Sequence, residues 1–266
     1  MSGAGEREWR RFTLRERLAR AGVYLVSVIA IVLSLKSVEV VPEFLVDAPA
    51  QIADLLTRMW PVDWPFLLSH VLRAMIETLN IATIGTLATL VIAFPLGVLA
   101  ARTIVPNPAV RFGAKLLLVA SRSVNSLIWA LFFVAVFGPG ALAGTVAITF
   151  RSIGFVGKLL GEALEEAAPG PVEAMVAVGA PWPSVFLKGH WPQVKPAFLS
   201  IALLRWDINV RESAVLGLVG AGGIGLVLDA AINVFQWRSV AAALVAIFAV
   251  VLVAEVLVTV LRRRIL

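Results

Sequence analysis

Long apolar stretches separated by short polar segments dominate the chain. Six of these stretches are long enough to span a membrane as a helix, at about 21–41, 74–101, 112–137, 141–161, 193–216 and 239–261. The hydrocarbon core of a bilayer is about 30 Å thick and takes around 20 mostly apolar residues as a helix, so each stretch predicts a membrane span. We therefore expect an all-α, polytopic membrane protein with about six transmembrane helices in a lipid bilayer.

Composition supports a membrane protein over a soluble one. Of the 266 residues, 60% are hydrophobic and only 15% are charged, and the mean hydropathy is +0.93. Soluble domains carry about 25% charged residues, so too few polar side chains are present to coat one. The absence of cysteine excludes disulfides and thiolate chemistry. The two histidines, His70 and His190, lie far apart in the sequence and predict no metal site.

Lysine and arginine are distributed asymmetrically between the loops, and this distribution predicts orientation. Placing both termini in the cytoplasm assigns fifteen basic residues to inner segments and four to outer ones. The 38–68 segment, which then lies outside, is acidic. Topology thus accounts for the net charge of +6 without a nucleic-acid partner.

The first apolar stretch is the weakest, since Lys36 and Glu39 lie near its end. No small-residue cleavage site follows it, which favours an uncleaved anchor over a signal peptide. We expect residues 1–68 to contain a cytoplasmic segment, the first span and an outer segment. Residues 69–266 then form a five-helix transmembrane domain.

An inner loop at about 162–192 separates the fourth span from the fifth. Its Pro-Gly-Pro run at 169–171 ends one helix, and VEAMVAVG predicts a short second one that ends at a glycine. The spacing resembles the cytoplasmic EAA loop of ABC importer permeases, although Met175 and Trp191 depart from the usual pattern. That resemblance implies a coupling helix that docks on an ATPase subunit, whereas an ordinary interfacial helix is the alternative. The residues that match are Glu173, Ala174, Gly179 and Pro192.

A more specific resemblance covers about residues 70–262. RWDINVRESAVLGLVGAGGIG at 205–225 closely resembles the signature of phosphonate-type ABC importer permeases. The runs RSVNSLIWALFF, GFVGKLLGEALE and ETLNIATIGTLATLVIAFPLGVLAAR resemble the same family. The resemblance implies a type I importer fold in the bacterial inner membrane and a homodimer of two permease copies. It also implies two ABC ATPase subunits inside and an extracytoplasmic binding protein that delivers phosphonate, phosphite or a related phosphorus oxyanion.

The energy source is expected on another chain. No Gly-x-x-x-x-Gly-Lys-Ser/Thr phosphate-binding loop occurs in the sequence. We therefore expect ATP and Mg²⁺ on the partner ATPase, and no cofactor or catalytic residue on this chain.

Ionisable residues inside predicted spans are costly and mark candidate functional sites. The candidates for a substrate pathway are Arg122, Arg151, Arg205, Asp207, Asn209, Arg211 and Glu212. Four arginines against two acids leave a net charge of +2 at membrane depth. Guanidinium groups bind tetrahedral oxyanions in a bidentate manner, which suits an anion crossing the bilayer.

The alternative for these charges is structural. Helical spacing places Arg205, Asn209 and Glu212 along one face of the fifth span and pairs Asp207 with Arg211 on another. Buried pairs of this kind fix helix register, and for Asp207–Arg211 this interpretation is favoured. Glu77 and Glu255 lie nearer span ends, where snorkelling or a local partner is expected.

GLVGAGGIGLV at 217–227 contains a Gly-x-Gly-x-x-Gly spacing, the fingerprint of a dinucleotide-binding turn. That turn follows a strand within a βαβ unit, whereas the preceding residues here continue a membrane helix. We expect instead the end of the fifth helix and a turn along the outer surface. The glycines concerned, which are candidates for an outer gate or for a plain tight turn, are Gly220, Gly222, Gly223 and Gly225.

Two other functions remain open from the sequence. One is an ABC importer permease for another small anion or solute. An ion-coupled secondary transporter would also have buried charges, although Glu77, Asp207, Glu212 and Glu255 form no evident proton relay.

Overall fold

A computed structural model describes residues 12–37 and 42–265, and within these ranges every regular element is helical. The N-terminal residues Arg7, Arg10 and Arg11, which we assigned to the inner side, lie outside the described residues. The chain divides into two compact units, Met1–Leu56 and Thr57–Leu266.

The first unit contains α1, Leu14–Ser37, which has no buried side chain and is long and apolar enough to cross a membrane. Helix α2, Pro42–Met59, begins in this unit and ends in the second. It falls in the 38–68 segment, where the apolar pattern predicted no helix. The prediction rests on long apolar stretches, and this helix is amphipathic instead. Its apolar positions follow helical spacing but are too few for a membrane span.

The second unit begins with α3, Trp64–Phe66, which continues through a π-helical turn at Leu67–Val71 into α4, Leu72–Ala100. The remaining α-helices are α5 Pro108–Ser123, α6 Ser126–Phe137, α7 Ala141–Glu165, α8 Pro169–Ala177, α9 Trp182–Val185, α10 Trp191–Leu216, α11 Ile224–Asn233 and α12 Trp237–Ile265. A π-helical turn at Phe186–His190 joins α9 to α10, and a 3₁₀ turn at Gly217–Val219 follows α10. In the described residues, four helices are long and apolar enough to cross a membrane, or up to six if each bent pair is one span. The expected all-α polytopic class is confirmed.

The third predicted span is not one helix, which corrects the expectation for residues 112–137. Helices α5 and α6 meet at an angle of 90°. Val124 adopts an extended conformation, and the side chain of Asn125 accepts a hydrogen bond from the Leu127 N–H at 3.0 Å. Asparagine at this position satisfies an N–H group that a new helix leaves unpaired, so α6 starts afresh rather than continuing α5.

Small residues allow α4 and α7 to pack closely at the centre of the second unit. A Cβ placed on Gly97 would lie 2.8 Å from the carbonyl oxygen of Gly157. The hydroxyl of Thr149 donates to the Gly85 carbonyl oxygen at 3.2 Å across the same contact. Small and hydroxyl side chains hold membrane helices together by this kind of close approach and hydrogen bonding. Helix α10 packs against both α4 and α7, and these three helices position the site.

Candidate functional site

The centre of the second unit holds an ionic cluster that joins α10 to α7. Glu212 accepts hydrogen bonds from Arg205 at 3.2 Å and from Arg151 of α7. The Nε of Arg205 donates to the hydroxyl of Ser152 at 2.8 Å, and the ring of Phe155 lies 5.5 Å from its guanidinium carbon. Two cations thus share one carboxylate, and we call Arg151, Glu212 and Arg205 the arginine–glutamate cluster.

Polar side chains beneath this cluster hold α10 in register with α7 and α4. Asn209 is fully buried, and its amide donates to the hydroxyl of Thr86 at 2.8 Å. The hydroxyl of Ser152 donates to the Asn209 side-chain oxygen at 3.2 Å. Because these polar groups satisfy one another, the guanidinium of Arg205 is held in a fixed position. Ser152 and Thr86 were not singled out from the sequence, since neither is charged.

The three side chains of the cluster differ in how far they are exposed. The Arg205 side chain is 4% exposed, whereas that of Glu212 is 18% and that of Arg151 is 28% exposed. The Nε of Arg151 is buried and has no hydrogen-bond partner among the described residues. The cluster carries a net charge of +1 and presents it through Arg151.

Asp207 and Arg211 form a separate ion pair, four residues apart on α10. Arg211 is 47% exposed and Asp207 is buried, with one carboxylate oxygen that lacks a hydrogen-bond partner in the described part of the chain. The sequence placed this pair on another face from Arg205, and the structure keeps it apart from the arginine–glutamate cluster. The pair is neutral and adds nothing to the local surplus of positive charge.

Arg122 does not join Arg151 and Arg205. It lies in the last turn of α5, beside the break, where a Cβ added to Gly154 of α7 would lie 3.1 Å from the Arg122 Cβ. Its side chain is exposed and lines a cavity with Lys115 and Lys158. The sequence placed Arg122 near the middle of a continuous span, whereas the structure places it in the last turn of α5, directly before the 90° break.

Helix α8 forms the short helix expected in the inner loop. Glu173 and Ala174 are exposed on it, and no residue of α8 is buried. The chain leaves the helix at Gly179, which has φ of +70° and so reverses direction where other residues are strained. Pro192 lies in the first turn of α10, which continues from a π-helical turn at Phe186–His190.

Gln193 ties the two ends of this loop together and was not predicted. Its side-chain oxygen accepts from the Ala168 N–H at 2.9 Å. Its amide donates to the carbonyl oxygens of Ala168 at 3.3 Å and of Gly189 at 2.7 Å. Helix α8 therefore starts from a point that is fixed to α10. The sequence gives only a weak indication of this role, because nothing in it distinguishes Gln193 from the other polar residues near the end of the loop.

The glycine-rich run forms the turn that was expected between two helices. Helix α10 ends at Leu216, and α11 begins at Ile224. Gly220 and Gly222 both have φ of +85° between these helices. The described residues contain no strand before the run, so a dinucleotide-binding unit is absent there.

Close packing explains the third glycine of the pattern. A Cβ on Gly225 would lie 2.4 Å from the Ala214 carbonyl oxygen and 2.6 Å from the Cα of Gly217.

Two side chains of α4 contact the glycine-rich turn. Glu77 accepts a hydrogen bond from the Gly223 N–H at 3.1 Å, and the hydroxyl of Thr78 accepts one from the Ile224 N–H at 2.8 Å. The sequence predicted either snorkelling or a local partner for Glu77, and the structure shows a partner, the Gly223 N–H. The turn is anchored to α4 by side chains that satisfy the start of α11.

Comparison with known proteins supports the same fold. Residues 93–266 match the family model described as binding-protein-dependent transport system inner membrane component. The inward-facing MetNI methionine ABC transporter, in its native CY5 crystal form, aligns with 77% of this chain and 100% of its own chain. The TM-score is 0.68 at 24% sequence identity, which confirms the expected permease fold.

Curated relatives are more similar in sequence. The phosphite transport system permease protein PtxC of Stutzerimonas stutzeri is 41% identical over 80% of this chain and 77% of its own length. The phosphate-import permease protein PhnE of Mycolicibacterium smegmatis is 36% identical over 91% of this chain. The chain spans about half of the length of that relative, 46%. The chain therefore belongs to the family of binding-protein-dependent transport system inner membrane components.

Proposed function

We propose that this chain is the membrane-spanning permease subunit of an ATP-driven importer for phosphonate, phosphite or a related phosphorus oxyanion. The observation that carries the proposal is the arginine–glutamate cluster, where Arg151 and Arg205 share one carboxylate between α7 and α10. A surplus cation at membrane depth lowers the barrier for an anion. The names of the phosphite and phosphate relatives support the same class of substrate.

The mechanism that suits this architecture is alternating access in a homodimer. A binding protein delivers the anion outside, and two ATPase subunits drive the change of access from the inside. Helix α8, exposed and fixed to α10 by Gln193, is suited to pass rigid-body motion from an ATPase to the helix that carries Arg205. The permease itself breaks no bond.

We infer that both termini lie in the cytoplasm, as the basic residues of the inner segments indicate. In that orientation α8 faces the ATPases, and the turn at Gly220–Gly223 faces the binding protein. The glycine turn is then part of the outer gate. Its contacts with Glu77 and Thr78 make it move together with α4.

The test is ATPase stimulation of the reconstituted transporter, assembled with its ATPase and binding protein. Phosphite, phosphate and methylphosphonate are compared with sulfate and methionine. Stimulation by at least one phosphorus oxyanion and by neither control supports the proposal. Stimulation by methionine or sulfate alone supports an importer for another solute, and uptake that needs no ATPase supports an ion-coupled carrier.

A further inference from the structure

A cavity of about 230 Å³ lies between α4, α5 and α7, at the end of the second unit where α4 and α7 stop. Lys115 and Arg122 line it from α5, and Lys158, Glu162 and Glu165 line it from α7. None of the roles proposed above uses this cavity.

Both carboxylates of the cavity already have cationic partners. Glu165 accepts a hydrogen bond from the Arg102 backbone N–H at 2.9 Å and forms an ion pair with its Nε at 3.2 Å. Glu162 pairs with Lys158 at 3.3 Å, one turn away on the same helix. The acids therefore do not leave the cavity negative.

Arg122 has no hydrogen-bond or ion-pair partner among the described residues. Lys115 lies 3.9 Å from Glu165, a long contact to a carboxylate that Arg102 already holds. Four cations, counting Arg102, thus meet two carboxylates, and the surplus positive charge lies at Arg122 and Lys115.

Arg122 and Lys115 lie on the same face of one helix. Seven residues, or two helical turns, separate Lys115 from Arg122, which is about 10 Å along the axis. Leu118 lies between them, is buried and forms an apolar floor. An unpaired guanidinium suits a phosphate group, because its fork takes two oxygens at once, and the ammonium of Lys115 adds a second positive charge to the same cavity.

We propose that this cavity binds a phosphate group through Arg122 and Lys115. The group comes either from the headgroup of an anionic phospholipid or from a free phosphorus oxyanion. Basic pockets between membrane helices bind lipid headgroups, and the apolar floor suits the start of an acyl chain. The proposal does not rest on the transport function, since it concerns a site apart from the arginine–glutamate cluster.

Two arms of one experiment distinguish the sources, both with the purified full chain. In the first arm, the delipidated protein is mixed with phosphatidylglycerol or with a neutral glycolipid that lacks phosphate, and native mass spectrometry counts the lipids retained. In the second arm, the chain in nanodiscs of the neutral glycolipid is equilibrated with radiolabelled inorganic phosphate.

The matched variants are Arg122→Gln and Arg111→Gln, which remove the same charge from the same helix, the second outside the cavity. We expect saturable binding in one arm, weakened about tenfold by Arg122→Gln and unchanged by Arg111→Gln. Arg122→Lys, which keeps the charge but loses the fork, is expected to bind at an intermediate level. Absence of binding in both arms, or equal losses in Arg122→Gln and Arg111→Gln, overturns the proposal.

Discussion

Glu212 of α10 is ion-paired with Arg151 of α7, 61 residues earlier in the chain. Because Arg205 donates to the other oxygen of the same carboxylate, Glu212 already occupies both guanidinium groups. A tetrahedral oxyanion that reached the cluster would have to compete with this internal carboxylate. The ion pair therefore links the position of α10 against α7 to the charge that is offered to a substrate.

Replacing Glu212 by Gln removes the internal competitor and leaves two cations for an oxyanion. We expect the KM of ATP-driven uptake to fall, since the anion binds more tightly, and the maximal rate to fall too, since release becomes slower. The measurement is concentration-dependent uptake of phosphite in proteoliposomes, normalised to inserted protein. A purely structural role would lower the amount of folded protein and leave KM unchanged.

Replacing Arg205 by Gln is expected to abolish uptake and to destabilise the chain. It breaks the buried bonds to Ser152 and Glu212, and breaking one partner of a buried ion pair costs about 3–5 kcal/mol. Uptake and thermal unfolding in detergent are measured together. Arg205→Lys restores charge without the fork, so recovery of stability without recovery of uptake points to oxyanion binding. Normal uptake by Arg205→Gln would remove Arg205 from the pathway.

Charge reversal at Glu173 tests helix α8. Glu173 is exposed, so Glu173→Lys should leave the melting temperature unchanged while abolishing ATP-driven uptake through a lost contact with the ATPase. Glu43→Lys, an equal reversal at an exposed position of α2, is the control and should transport normally. Retained uptake by Glu173→Lys would contradict the coupling role.

The close packing at Gly225, in the first turn of α11, predicts an effect on stability. Gly225→Ala forces a Cβ to within 2.4 Å of a backbone oxygen, and overpacking of this kind costs roughly 1–3 kcal/mol. Gly113→Ala is the matched control, because nothing lies within 4 Å of its added Cβ. Alanine is favoured over glycine inside a helix by about 0.5–1 kcal/mol, so this control should be neutral or stabilising. Thermal unfolding of both variants in one detergent is the measurement, and equal melting temperatures would argue against a close contact at Gly225.

Much of the architecture follows from local pattern. The apolar stretches predicted the membrane class, and the Pro-Gly-Pro run and Gly179 marked the ends of the short helix α8. Spacing along one helix also predicted that Asp207 pairs with Arg211, because residues four apart on a helix are neighbours. These features depend on residues close together in the chain, which is why the sequence determined them.

Contacts between distant segments needed the tertiary structure. The pairing of Glu212 with Arg151 depends on how α10 packs against α7, and no local signal selects one arginine over another. The 90° break removed Arg122 from the other arginines and placed it at the cavity beside Lys115. The sequence determined which charges lie within apolar stretches, whereas helix packing decided which of them meet, because the meeting residues lie on different helices.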